Sequence, residues 1–316
     1  MLINHIIRRN VNPMKKRLIN LKNIILRRLL FGLRILLRSK RYDYSTNCPY
    51  CNNKSTQIIQ RKYLILELRE CKKCNLRFRF PKDSVNFSEY FYNKIYKQEN
   101  NLVTSLPTLT ELNSLIKGGF KDTDKDFSKQ ISALKHLHNT KGKLFEYGSS
   151  WGYFLYQCSK SGIDCSGLEI SKPRAEYGIK NLNVKIYTDY TEVPDSSFEI
   201  IYSCHVLEHI ANLQEAFSLF KRILLNNGLL IIECPNCSSA SAKRQGVYWG
   251  PMIGEVHVNA LTPDFFQKVL SEQGFTVKMT TDLKEITSED TLFTRSQDKF
   301  DLSGDNLIVI AKPSKK

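Results

Sequence analysis

Residues 143–155 read KLFEYGSSWGYFL. A short apolar run closes on an acid and a tyrosine, crosses two glycines and two serines, and resumes as a second apolar run. Gly148 and Gly152 permit a left-handed backbone and the close approach of another group. The stretch reads as a strand, a ligand-bearing turn and a helix. Its surroundings repeat that alternation. KQISALKHLHNT leads in as an amphipathic helix. DCSGLEIS, NVKIYT, SFEIIYSCHVL and GLLIIECPN read as further strands, with helices KPRAEYGIKNL and NLQEAFSLFKRILLNNG among them. Asn227-Gly228 is expected to close the second of these helices. TPDFFQKVLSEQGF is a helix with Thr262 as its cap and Pro263 in its first position, and FTVKMTTDL and NLIVIAKPS supply two last strands. The order predicts an α/β fold, a doubly wound seven-stranded sheet covered on both faces.

In such sheets ligands lie beyond the carboxyl ends of the strands. The first strand ends at Glu146 and Gly148, and the second at Glu169. A carboxylate at Glu169 is placed to accept hydrogen bonds from two ribose hydroxyls. The turn is G-S-S-W-G, which is not the G-x-G-x-x-G of a nicotinamide dinucleotide site.

Upstream, NCPYCNNKSTQIIQRKYLILELRECKKCNLRF carries Cys48, Cys51, Cys71 and Cys74 as two C-x2-C pairs flanking a predicted β-hairpin. Each pair can aim two thiolates at one point. The spacing predicts a zinc ribbon whose four ligands leave no open position, so the metal is structural. The chain carries a net charge of +16, and residues 1–41 hold twelve Lys or Arg and no Asp or Glu. The balance over the rest is only +4, which argues against nucleic acid as the partner of the catalytic portion. Within that basic segment, LINLKNIILRRLLFGLRILLR sets a polar stripe of Asn20, Asn23, Arg27, Arg34 and Arg38 against a broad apolar face that includes Leu18, Leu21, Ile25, Leu29, Leu33 and Leu36. Three readings stand: residues 15–41 lie on an anionic membrane surface, pack on protein, or form an RNA-binding arm. No clean signal peptide and no run of about 20 uncharged apolar residues is present. The expected setting is cytoplasmic, peripheral on the inner membrane face if the helix meets lipid. The expected organisation is a basic amphipathic helix over 1–41, the ribbon over 42–82, an aromatic helix and linker over 83–128, and the α/β domain over 129–316.

The blocks of the α/β portion resemble class I S-adenosylmethionine-dependent methyltransferases. FEYGSSWGYFL is similar to their first motif, GLEIS to the acidic end of their second strand, DSSFEIIYSCHVLEHI to their fourth-strand block, and LLNNGLLIIECPN to the approach to their fifth strand. Ser150 departs from the middle glycine of the first motif, and Glu199 from the usual aspartate of the fourth-strand block. The resemblance implies a Rossmann-like methyltransferase sheet and S-adenosyl-L-methionine as cofactor. It implies that Glu146 and Gly148 line the methionine side with Ser150 and Gly152 in the same turn, that Glu169 holds the ribose, and that Asp189 lies near adenine. It puts Ser203 to His205 on the pocket floor. The ribbon followed by the aromatic run from Tyr90 to Tyr96 is similar to a bacterial subgroup associated with sugar or polysaccharide modification. That implies a small-molecule or glycan acceptor, the alternative being a zinc-ribbon RNA methyltransferase.

A hydroxyl acceptor needs a base. HVLEH offers His205, Glu208 and His209, with His209 expected as base and Glu208 as its orienting partner. Otherwise Glu208 and His209 cap the next helix and hold the wall of the site. The segment after the fifth strand, with Lys243, Arg244, Tyr248, Trp249 and His257, is long enough to be a lid. Its two basic residues are candidates for a phosphorylated acceptor. Cys234 and Cys237 form a third C-x2-C with no partner pair, so no metal is expected there.

Overall fold

The computed structural model describes residues 26, 29–84, 86–87, 105–137 and 142–314. The aromatic run Tyr90–Tyr96 and the N-terminal part of the basic segment lie outside these residues.

The ribbon forms first along the chain. Strand β1 (Tyr42–Asp43) pairs with β5 (Lys82–Asp83), and between them β2 (Thr56–Lys62), β3 (Leu66–Cys71) and β4 (Arg77–Phe80) form an antiparallel meander. Tyr63 and Leu64 both take positive φ in the tight β2–β3 turn, the backbone hand that matches strand twist. Each C-x2-C pair is followed by an asparagine in the left-handed region, Asn52 at φ 53° and Asn75 at φ 62°. Asn52 N–H donates to Cys48 O at 3.0 Å, and Asn75 N–H to Cys71 O at 2.9 Å. The two turns are therefore copies of one another, and they bring four sulfurs together.

The main sheet has the order β12-β13-β10-β9-β6-β7-β8. Its members are β6 (Leu144–Tyr147), β7 (Cys165–Leu168), β8 (Lys185–Tyr187), β9 (Phe198–Cys204), β10 (Leu224–Pro235), β12 (Phe275–Thr280) and β13 (Asn306–Pro313). Strands β10, β9, β6, β7 and β8 run parallel, while β13 pairs antiparallel with both β10 and β12. The strands are apolar on both faces because helices cover both. Helices Leu213–Ile223 and Pro263–Glu272 cover one face through Phe217, Phe220, Phe265 and Phe266. Helices Ser128–Leu137, Tyr153–Lys160 and Lys172–Leu182 cover the other.

One boundary differs from expectation. The helix beginning at Leu213 ends at Ile223, and Leu224 opens β10 by pairing with Phe198. Asn227 and Gly228 thus lie inside a strand, within the irregular register between Leu224 and Leu229. A Cβ on Gly228 would sit 2.9 Å from Glu199 O. The glycine serves close strand approach, not helix closure.

The segment after β10 is not a free lid. It forms a short helix (Ala240–Gln245) and returns as β11 (Asn259–Ala260), which pairs with β4 and completes the ribbon's four-stranded sheet in the order β11-β4-β3-β2. Val247, Trp249, Met252 and Ile253 are buried against Leu66 and Leu68 of the ribbon and against Phe31 and Ile35 of a helix spanning 29–36. Arg79, fully buried, ties these parts together. Its guanidinium donates to Gly254 O at 2.6 Å, to Glu255 O at 2.9 Å and to Pro81 O at 3.0 Å, and it pairs with Asp83. It also lies over the rings of Phe31 and Tyr42.

Arg79→Met removes the cation and leaves a half-buried carboxylate and three carbonyls without their donor. The expected loss is on the order of 3–5 kcal/mol, read as a lower urea midpoint. A loss under about 1 kcal/mol would show that the guanidinium is not a tie between ribbon and segment.

Candidate active site

The glycine turn sits at the carboxyl end of β6. Gly148 N–H and Ser149 N–H both donate to Leu168 O at 2.9 Å, and Gly152 N–H donates to Ser149 O at 2.8 Å. Gly148, Ser150 and Gly152 have φ of 82°, 50° and 77°. Ser150 therefore holds the left-handed backbone that a glycine would take there, and its Oγ accepts from Arg174 Nη1 at 3.3 Å.

Glu169, at the end of β7, accepts from Ser150 N–H at 2.9 Å and from Ser171 N–H at 2.7 Å. It braces the turn from the neighbouring strand. Burial pushes its carboxyl above the ordinary range, opposed by Ser171 N–H, the Arg174 charge and Ser150 N–H. Glu146 is buried, and desolvation together with the Glu169 charge pushes its carboxyl well up. Glu146 Oε2, Ser149 Oγ and Ser203 Oγ are buried with no protein hydrogen-bond partner. Ser203 lies on β9 directly opposite Tyr147 of β6. Asp189 differs in character from these residues. It is exposed, and its Oδ1 caps a 3-10 turn by accepting from Thr191 N–H at 2.8 Å and Oγ1 at 2.7 Å.

The HVLEH block packs directly on the glycine turn. A Cβ on Gly148 would fall 2.4 Å from Val206 Cγ2. His205 has φ 53°, a left-handed backbone uncommon for a non-glycine residue. Its Nδ1 lies 3.2 Å from Glu208 Oε1, while its side chain remains half exposed. Glu208 is buried at 2% exposure. Desolvation raises its carboxyl, but the His205 hydrogen bond and the charges of His209, His205 and His257 outweigh it and hold it below the ordinary range. His209 donates through Nδ1 to Val256 O at 2.9 Å, and its Nε2 is 3.9 Å from Glu208 Oε1. The following helix is capped by Asn212, not by Glu208 or His209.

The expected pairing thus changes partner: Glu208 bonds His205 rather than His209. His257 joins the cluster from 48 residues beyond His209, its ring 4.7 Å from that of His209. The chain has six histidines, and half of them meet here. Their scarcity was the available signal. Cys234 and Cys237 are both buried, and neither joins a metal-ligating group among the described residues.

A family model described as a methyltransferase domain matches residues 121–279, half of the chain. The chain belongs to that methyltransferase family. It is a class I enzyme whose methyl donor is S-adenosylmethionine. It is similar to solved structures of a SAM-dependent methyltransferase from Archaeoglobus fulgidus (17% identity over 63% of this chain and 99% of that one, TM-score 0.44). It is also similar to a TehB-like SAM-dependent methyltransferase from Corynebacterium glutamicum (13% identity, 65% and 95%, TM-score 0.45). A third is the plantazolicin methyltransferase BpumL in complex with SAH (15% identity, 72% and 95%, TM-score 0.46). No curated protein matches the chain.

In this methyltransferase, Gly148→Ala forces alanine into a left-handed backbone, costing about 1–2 kcal/mol, and drives its methyl into Val206. Gly148→Ala is expected to lower the thermal midpoint, with Gly148→Ala/Val206→Ala recovering only the steric part. Full recovery in the double variant would show that the backbone at 148 is unstrained by a side chain.

Proposed function

We propose that the enzyme methylates a hydroxyl of a glycan or other small acceptor, with the cofactor on the glycine turn and His205 as the base. The observation that carries this is the buried Glu208 carboxylate fixing His205 Nδ1 beside that turn. The residues fit the cofactor. Glu169 is placed for the ribose hydroxyls. The orphaned Glu146 Oε2, Ser149 Oγ and Ser203 Oγ suit the polar methionine end. Asp189 is assigned the adenine side from its place after β8. Once bound, the sulfonium supplies an activated methyl whose S–C bond breaks as the C–O bond forms, the bonding pair returning to sulfur.

His205 Nδ1–H donates to Glu208, and in the neutral imidazole Nε2 carries the lone pair that accepts the hydroxyl proton. His209 Nδ1 is instead held by Val256 O, so that ring is oriented by a carbonyl and not by the carboxylate. Lys243 and Arg244 are exposed on the helix Ala240–Gln245, available to a phosphorylated acceptor such as a nucleotide sugar or lipid-linked saccharide.

The ribbon is read as a structural zinc site. The sulfur separations Cys48–Cys74, Cys51–Cys71 and Cys51–Cys74 are 3.5, 3.5 and 3.6 Å. A tetrahedron with Zn–S bonds of about 2.3 Å has edges of roughly 3.8 Å, so the four thiols suit the ion. The same positions favour the proposed division into basic helix, ribbon, linker and catalytic domain, with the ribbon borrowing one strand from the last.

The basic helix is read as a membrane-surface element. Leu26, Leu29, Leu30, Leu33, Leu36 and Leu37 are all exposed, while Phe31 and Ile35 pack inward. Arg34, Arg38, Lys40 and Arg41 lie along the same stretch, matching anionic headgroups. Among the described residues no helix is long and apolar enough to cross a membrane.

Four measurements test these readings. His205→Gln is expected to lower kcat by about 10²–10⁴-fold with cofactor affinity unchanged. Glu169→Ala should instead weaken the demethylated cofactor by about 30–150-fold, the equivalent of roughly 2–3 kcal/mol. Glycan profiling of a deletion strain should show a lost methyl group. Loss of a methyl from RNA instead would favour the RNA enzyme. Separately, the protein should sediment with anionic but not neutral liposomes, each basic residue adding roughly 1 kcal/mol. High salt or Leu29→Glu/Leu33→Glu should release it. Equal behaviour with both lipids would make the helix a protein-packing element.

A further inference from the structure

We propose that Glu208, His209 and His257 form a second metal site, taking one divalent transition cation at the acceptor side of the active site. One ligand atom from each of the three lies within 4.8 Å of the others. A common point is then within roughly 2.8 Å of all three, against metal–ligand bonds of about 2.0–2.2 Å. Small side-chain adjustments close the set.

The tautomers support it. His209 Nδ1 faces Val256 O at 2.9 Å and His257 Nδ1 faces Pro251 O at 2.8 Å. Carbonyl oxygens only accept, so both Nδ1 atoms carry hydrogen, and in the neutral imidazoles both Nε2 atoms carry the lone pairs a metal would take. A backbone carbonyl on the far nitrogen is the usual outer support of a metal-bound histidine. The third member adds the charge. Glu208 is buried, and its Oε2 has no hydrogen-bond partner. A buried carboxylate with one oxygen orphaned beside two oriented imidazoles is costly without a cation.

Two imidazoles and one carboxylate favour Zn²⁺, Mn²⁺, Fe²⁺ or Co²⁺ over Mg²⁺ or Ca²⁺. Three protein ligands leave positions for acceptor oxygens. An acceptor hydroxyl held by the ion would be more acidic, and its proton would pass to His205 next to Glu208. Two adjacent hydroxyls, as on a sugar ring, match two neighbouring open positions. This role rests on the acceptor reading above, while the site itself rests only on the three side chains.

The test uses the full chain with its ribbon metal in place and no cofactor. Mn²⁺ is the probe, because four thiolates bind it poorly. Electron paramagnetic resonance and calorimetry should show one Mn²⁺ per chain. His257→Ala and Glu208→Gln should each weaken it by at least about tenfold, the usual scale for a lost ligand or support. His136→Ala, on the exposed face of the helix Ser128–Leu137, should not change it. His257→Ala keeps the test valid if Glu208→Gln fails to fold. No bound Mn²⁺, or binding untouched by His257→Ala, overturns the site. Binding of the demethylated cofactor, measured on the same samples, reports separately on the methyltransferase reading.

Discussion

The guanidinium of Arg79 is the point on which the arrangement around the active site turns. It is fully buried, and a lone buried cation is too costly to persist. Asp83 neutralises it, and carbonyls of Pro81, Gly254 and Glu255 take its remaining N–H groups. Two of those carbonyls belong to the segment that carries His257. The backbone continues the tie: Arg79 N–H donates to Val258 O at 2.8 Å, and Val258 N–H donates to Glu208 O at 2.9 Å. Asn259 Nδ2 then holds Leu207 O and Ile210 O at 2.9 and 2.7 Å. Residues 256–260 are therefore a strap between the ribbon and the HVLEH turn. The four-cysteine module thus reaches the HVLEH turn through hydrogen bonds.

The strap changes what the ribbon contributes. The ribbon also packs on the helices behind the sheet, where Tyr50 meets Phe217 and Phe265 edge-on and its OH accepts from Gln273 Nε2 at 2.7 Å. With two anchors, it is fixed relative to the strands that carry the glycine turn. A ribbon held only by a linker could not set a histidine to within a hydrogen bond's tolerance. This one is placed to do so, and His257 is the residue that receives the benefit.

Legibility in the sequence followed the range of the interactions. The parallel strands were readable because each is a short apolar run bounded by glycine or polar residues, and burial on both faces erases alternation. Thr262 and Asn212 caps are local, and the former was readable. The end of the helix at Ile223 was not, because Leu224 and Leu225 continue its apolar period. Pairing of Leu224 with Phe198 overrides that pattern. The broad apolar face of the basic helix was visible, but a wheel cannot say which part is covered. Phe31 and Ile35 are the covered residues, against Trp249 and the ribbon. The place of Glu146, Gly148 and Glu169 at the carboxyl ends of two neighbouring strands was legible from order and spacing. His257 was not, because it reaches Glu208 only through a strand pairing between residues 259–260 and 77–78. The exchange of partner at Glu208 was equally invisible: it depends on Val256 O claiming His209.

That exchange gives His205 and His209 different anchors. Were His209 Nδ1 to take the carboxylate, Val256 O would be left without its donor. As built, His209 and His257 are oriented through Nδ1 by backbone carbonyls, and His209 Nε2 stands 3.9 Å from Glu208 Oε1. His205 takes one oxygen of Glu208 from the other side, on a left-handed backbone held by a hydrogen bond from its own N–H to Glu233 O at 2.9 Å. Strain of that kind, of order 1–3 kcal/mol, persists only where the surroundings over-determine it. Here the surroundings are the glycine turn, through Val206, and the strap, through Glu208. The carboxylate is thus the junction between the turn that packs on Gly148 and the strap that carries His257, and its burial keeps the electrostatic coupling across that junction strong.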